Sequence, residues 1–438
     1  MAERKIIAWY SLKGGKHIPV YDGETKQDAL KRAMSGKDRA KASPKTSNVA
    51  FKGGSTTKQS KSSTETKTGL NKRSDASQAD AKKLDEMKKA SDRADAMNKE
   101  QAYKDNLAQG NSVSLKNGQM TFKGQKVNDL DLSERGTPGK DSLADYVGAN
   151  GKLSPERMEV HRQIIEDYFK GNVNLKEGQK PVEHQPYGPN DEKVAMFTGG
   201  GGASGKGEFS RHVGQYYSQD KHPLVIDPDE IKKMLAKADG KELNAKLTGY
   251  YHEESSALAK QIYSTSLQHN FPTFYDGTAT GKGIYGLLDE AKKHGYKSEM
   301  NFVYSDWKTV RRNSLDRYAK QKRLVPVSQV VGAHQKAFGA VEQLQDKFDS
   351  FKLWDNAGRN LTRVGESSLG KKLSISNRAS YERFRKSKAE FTLSPEETKA
   401  YVREAGSITR QIFKNNPEAG KTFRKENREE WFKNHPKK

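Results

Sequence analysis

Residues 196–210 read MFTGGGGASGKGEFS, and within them Gly200 to Lys206 fit the spacing G-x-x-x-x-G-K directly after a β-prone run and before a helical one. No other stretch of the chain constrains its fold as tightly. The glycines let successive backbone N–H groups turn inward around phosphate oxygens, and the lysine places a positive charge on the β- and γ-oxygens. A glycine-rich turn with an incidental lysine is the competing reading; the strand-loop-helix setting favours the phosphate loop. The expected nucleotide contacts are Gly200, Gly201, Gly202, Ala203, Ser204, Gly205, Lys206, Gly207 and Glu208. Gly207 stands where a Ser or Thr normally meets the magnesium ion. That leaves Glu208, Ser210 or Asp276 as candidate metal contacts.

A phosphate loop of this kind belongs to an α/β fold, and the surrounding texture agrees. Short strands are expected at Val194–Thr198, Leu224–Ile226, Thr273–Tyr275, Met300–Tyr304 and Phe351–Trp354, with helical segments between most of them. That order implies a parallel sheet with flanking crossover helices. Ser154 and Pro155 open a helix whose apolar face is Met158, Ile164, Ile165 and Phe169. The domain is expected over 151–360.

The flanks differ. Residues 1–36 read as a small N-terminal hairpin unit, with a Gly14-Gly15 turn and a helix from Thr25, suited to docking. Residues 37–110 form a basic, low-complexity, disordered linker holding one marginal helix over 79–103. In 111–150, Val113, Leu115, Met120 and Phe122 alternate around Asn117-Gly118, a favoured hairpin turn. Residues 361–438 are expected to be a basic helical extension without strands, its pieces near 379–388, 395–413 and 420–432. On these boundaries, removal of residues 1–150 should leave a folded domain.

Composition narrows the partners. The formal charge is +23, which favours nonspecific attraction to nucleic acid through the flanks. Specific recognition lacks its usual signatures. There is no cysteine, so disulfides and thiolate chemistry are excluded. Nothing approaches the roughly 18 apolar residues of a membrane span. A cytoplasmic or virion-associated protein without a membrane partner is expected.

Two carboxylates are expected at the carboxyl edge of the sheet, where α/β folds bind ligands. Asp227, in Leu224-Val225-Ile226-Asp227-Pro228-Asp229, is a candidate base for an acceptor hydroxyl, with helix capping as its alternative role. Asp276 and Thr278 follow the next strand and suit substrate binding, magnesium support through water, or a turn. Arg317 and Arg323 lie where a basic helix ends and the following loop begins, placed to neutralise charge during phosphoryl transfer.

Several ordered motifs resemble the zeta toxin family of P-loop kinases: SPERMEVHRQII, GGGGASGKG, VIDPDEIK, HEESSALA, YDGT, DRYAKQKRLVP and AHQKAF. They span roughly Ser154 to Gly358. The resemblance implies a P-loop kinase-like fold, ATP or GTP with Mg2+, and transfer of phosphate to UDP-N-acetylglucosamine. It implies Lys206 as the phosphate-binding lysine, Asp227 as the activating carboxylate, and Arg317 and Arg323 as the closing arginines. Asp276 replaces the family's usual Glu, Thr278 matches its threonine, and Glu254 and Ser255 fall in its H-E-x-S-like helix. An antitoxin or virion protein is the implied macromolecular partner. The other readings are a structural or nucleic-acid-binding phage or plasmid protein with a kinase-like domain, and a kinase for a nucleic-acid end or antibiotic.

Overall fold

A chain that alternates short apolar runs with helical segments after residue 151 can bury those runs only by stacking them into one sheet. The structure, a computed structural model, describes residues 6–11, 17–21, 70–173, 175, 179–181, 183–210, 222–321, 325, 327–418 and 420–421. The chain divides into two units, Met1–Ala79 and Asp80–Lys438. In the first, β1 (Ile6–Ser11) pairs antiparallel with β2 (His17–Tyr21), the expected hairpin. The helix expected from Thr25 and the linker over residues 37–69 lie outside the described residues.

Helix α1 (Leu70–Ala108) is longer than the marginal helix expected. The reason is local. No Gly or Pro interrupts residues 70–108, alanine recurs throughout, and Lys89–Asp85 and Lys104–Glu100 pair one turn apart. Among the described residues no helix is long and apolar enough to cross a membrane.

In the second unit, β6 (Val194–Gly199), β7 (Leu224–Ile226), β8 (Thr273–Tyr275), β9 (Lys297–Tyr304) and β10 (Ser350–Asp355) fall where the five strands were expected. With β11 (Thr362–Ser367) and β12 (Ser374–Ile375) they form a seven-stranded sheet in the order β12-β11-β10-β9-β6-β8-β7. The five strands from β7 to β10 are parallel, and β11 and β12 add antiparallel. This is the mixed α/β, mostly parallel architecture expected. Strand order reverses around β6, so the loop leaving β6 sits at the sheet's topological switch point. Both faces of β6 and β9 are buried, which suits the apolar run of β6; in β9 the buried polar side chains are hydrogen-bonded, Ser298 to Asp349 and Asn301 to Glu299. Helices α4 (Pro228–Ala238), α5 (Ala245–Tyr250) and α6 (His252–Gln268) lie between β7 and β8, and α7 (Gly283–Lys293) leads into β9. Helices α8 (Trp307–Gln321) and α9 (Val327–Leu344) join β9 to β10.

Two expected boundaries need correction. No strand was expected beyond Gly358, yet β11 and β12 extend the sheet. The run Thr362–Ser367 carries Gly and charged residues and only Val364 is a buried aliphatic, so its apolar pattern is too thin to read. Helices α10 (Arg378–Glu390) and α11 (Pro395–Ile412) follow; the piece expected near 420–432 lies almost wholly outside the described residues.

The boundary at residue 151 also fails. Strands β3 (Val113–Lys116) and β4 (Gln119–Phe122) make the expected hairpin, with Asn117 and Gly118 at φ 51 and 73, and β5 (Gln125–Lys126) joins them. Its inner face enters the main core. The Phe122 ring stacks on Phe169 at 4.2 Å and meets His269 edge-on at 4.8 Å, while Asn111 donates to the carbonyls of Phe169 and His184. Helix α2 (Ser142–Tyr146) follows the hairpin, and helix α3 (Pro155–Phe169), capped by Ser154 with Pro155 in its first turn, packs on that hairpin. Removing residues 1–150 would therefore strip part of the core. Phe122→Ala should destabilise the fold by about 3–5 kcal/mol in a denaturant titration, whereas removing residues 1–108 should leave the midpoint of that titration unchanged.

Candidate active site

The phosphate loop is shaped by contacts that glycine alone permits. Gly200 has φ 127, and a Cβ there would lie 2.1 Å from the Val303 carbonyl; Gly205 has φ 103, with Asn356 Nδ2 at 1.9 Å from the same hypothetical atom. The loop is then fastened by its carbonyls. Lys206 Nζ donates to the oxygens of Gly200 and Gly201, each at 3.0 Å. His334 Nε2 lies 2.8 Å from the Gly202 oxygen, Asn313 Nδ2 donates to Ala203 at 3.0 Å, and Asn356 Nδ2 donates to Ser204 at 3.0 Å. Five consecutive carbonyls are thus held by side-chain donors drawn from the loop, α9, α8 and the end of β10. A loop fastened by its carbonyls can turn N–H groups toward an anion, those of Gly200 and Ser204 excepted, which donate to the Thr278 and Gly201 carbonyls, and the helix that begins at Lys206 supports the same charge.

His334 holds one tautomer. Its partner is a carbonyl, which only accepts, so Nε2 carries the proton. Burial pulls the imidazole down to about 4, and the ring stays neutral, stacked nearly parallel on Phe391 at 4.3 Å.

Across from the loop, a cleft of about 1140 Å³ brings Lys206, Asp227, Asp229, Asp276, Thr278 and Arg317 together. Asp227 both caps a helix and lines the cleft. Its Oδ1 accepts from Asp229 N at 2.8 Å, capping α4, and the residue lines the cleft. Burial, reinforced by the Asp276 and Asp229 carboxylates, pushes its carboxyl up to about 6. Burial lowers the Lys206 ammonium, and the same carboxylates, Asp276 foremost, oppose that. Asp276 accepts from Thr198 Oγ1 at 2.5 Å, so the last turn of β6 orients it. Thr278 accepts from Gly200 N through its carbonyl and meets Thr280 through its hydroxyl. Arg317 reaches Asp229 at 3.4 Å, and Lys232 pairs with the same carboxylate at 2.9 Å. Arg323 lies outside the described residues.

Glu254 and Ser255 are corrections to the expected substrate contacts. Both are fully buried and neither lines the cleft. Arg157 grips both Glu254 oxygens at 2.6 and 2.8 Å, His161 meets one at 2.6 Å, and Asp239 completes the ion cluster through Arg157. Burial opposes ionisation of Glu254, but the bonds from Arg157 and His161 hold its carboxyl down to about 2. It therefore ties α3 to α6. The cleft-facing residues of α6 are instead its neighbours His252, Ser256 and Lys260, at i, i+4 and i+8.

Ser210 is likewise turned inward, its hydroxyl on the Lys206 carbonyl one turn back. Among the described residues no group of three His, Asp or Glu side chains is arranged to hold a metal by itself. A magnesium ion carried chiefly by nucleotide phosphates and water, with one or two carboxylates behind it, suits this donor set. The structure also adds residues that sequence reasoning missed: Thr198, Asn313, His334, Asn356 and Arg359. Arg359 Nε donates to Asn313 Oδ1 at 2.8 Å, and its guanidinium pairs with Asp316 at the cleft wall. Asn356 carried a readable signal, since a polar side chain directly after a buried strand marks the ligand edge. Thr198 lies at the end of the strand that leads into the loop, whereas Asn313, His334 and Arg359 come from segments distant in the chain.

Residues 180–362 match the family model described as Zeta toxin. Among solved structures, the chain is similar to the native AvrRxo1-ORF1:-ORF2 complex at 16% identity and a TM-score of 0.43, over 63% of this chain and 92% of that one. It is similar to AvrRxo1-ORF1:-ORF2 with ATP at 17% identity and a TM-score of 0.43, over 59% and 81%. A third similarity is to a structure from the PezAT chromosomal toxin-antitoxin system of Streptococcus pneumoniae, at 13% identity and a TM-score of 0.41, over 60% and 98%. No curated protein matches the chain.

Proposed function

We propose that this chain, whose residues 180–362 match the Zeta toxin family model, is an ATP-dependent kinase that phosphorylates a hydroxyl of a UDP-amino sugar such as UDP-N-acetylglucosamine. The observation that carries this reading is the phosphate loop with five fastened carbonyls facing a carboxylate raised to about 6 across one cleft. The acceptor oxygen attacks the γ-phosphorus and the bond from that phosphorus to the β–γ bridging oxygen breaks. The hydroxyl proton passes to Asp227, and ADP leaves. Lys206 and Arg317 neutralise charge on the transferring group, and Asp276 and Thr278 bind the acceptor side. Mg2+, when bound, supplies further neutralisation of the β- and γ-oxygens. An antitoxin that covers the cleft would be the natural protein partner of such an activity.

The test incubates the protein with ATP, Mg2+ and a panel of UDP-sugars and oligonucleotides, with products read by mass spectrometry. A UDP-amino sugar heavier by one phosphate is the expected result. Transfer only to oligonucleotide ends would replace this acceptor with a nucleic acid, and no transfer to any compound would remove the kinase reading.

A further inference from the structure

The family match ends at residue 362, yet the chain continues through α10 into α11, and α11 packs along α8, the helix that carries Asn313 and Arg317. The contact is built from buried polar pairs. Tyr401, 2% exposed, lies with its ring 6.1 Å from Trp307. Its hydroxyl sits 3.2 Å from the Val325 carbonyl and 2.8 Å from Ser314 Oγ. A carbonyl only accepts, so the phenol donates to Val325 and accepts from Ser314. One buried hydroxyl therefore joins Val325 to Ser314, on the helix whose Asp316, Arg317 and Lys320 line the cleft. A second pair joins the same two helices: Tyr318 donates to Thr409 at 2.6 Å, and Thr409 in turn donates to Ala405.

We infer that Tyr401 is a positioning residue for phosphoryl transfer, its hydroxyl bracing the arginine-bearing segment so that Arg317 is held over the cleft. The inference rests on the kinase reading for its catalytic consequence. An arginine on a long side chain acts on the transferring group only when its backbone is fixed, and displacement by about 1 Å costs on the order of 10²-fold in rate. Helix α11 thus supplies this brace from outside the matched family segment.

Tyr401→Phe keeps the ring and removes the brace. Its kcat should fall about 10- to 100-fold, with the KM for ATP unchanged because the phosphate loop is untouched. Tyr318→Phe, which loses a comparable buried bond between the same helices, should retain the kcat of the unaltered protein. Limited trypsin digestion of the full chain, read by mass spectrometry, should show faster cleavage after Arg317 and Lys320 in Tyr401→Phe than in Tyr318→Phe. Unchanged kcat in Tyr401→Phe, or an equal loss in both variants, overturns the inference. So do equal cleavage rates. If the unaltered protein transfers phosphate to no acceptor, the kinase reading fails, and the cleavage comparison still decides whether Tyr401 braces the segment.

Discussion

Lys206→Ala will reduce phosphoryl transfer by about 10²–10³-fold, the order of loss expected when one donor to the transition state is removed. The ammonium is held at the mouth of the loop by the Gly200 and Gly201 carbonyls, and it faces the carboxylates of Asp276 and Asp227. Its loss also leaves those two carbonyls without their lysine partner. The fold should survive, since the core is made by β6, β9 and their covering helices. Steady-state turnover and circular dichroism on the purified variant check both halves of the expectation. Turnover within twofold of the unaltered protein would remove Lys206 from the catalytic machinery.

Asp227→Asn separates base from cap. Asparagine is as good an N-cap as aspartate, so α4 should remain intact. General base catalysis is lost, and acceptor phosphorylation should fall by about 10²–10⁴-fold while ATP binding persists. In the unaltered protein kcat should drop as pH falls through about 6, because the carboxyl must be ionised to take the proton. The stability effect has the opposite sign. The folded carboxyl at about 6 binds its proton more tightly than the usual 3.8, so its contribution is fully present below 3.8 and is lost as pH rises through 6. Near neutral pH the ionised group therefore costs the fold up to about 3 kcal/mol, and Asp227→Asn should melt at the same or a higher temperature. A variant that keeps acceptor phosphorylation within twofold of the unaltered protein would make capping the principal role of Asp227, because asparagine preserves the cap and removes only the base.

Much of this was legible because the responsible residues are local. The phosphate loop is one contiguous run whose glycines answer to backbone geometry, and the five parallel strands are legible from β-prone apolar and aromatic residues set between polar boundaries. Asp227 and Asp276 were readable for the same reason, standing directly after strands whose direction fixes where they point. The hairpin at Asn117-Gly118 follows from its turn chemistry, but its membership of the core does not. Phe122 looks the same in sequence whether it covers a separate module or stacks on Phe169, and only the fold chooses.

Glu254 shows the reverse failure. Its charge and its place beside His252 in the HEESSALA run, which resembles the family motif, pointed to substrate, but helical rotation by one residue decides whether a side chain meets the cleft or the core. Glu254 turns to Arg157 and His161, while Ser256 and Lys260 turn to the cleft. Sequence determined the five parallel strand segments, the phosphate loop and the carboxylates at its edge, because short-range geometry fixes them. Tertiary structure alone decided that Asn313, His334 and Asn356 fasten the loop and that Tyr401 joins Val325 to Ser314, because each bond joins segments far apart in the chain and exists only once the helices have packed.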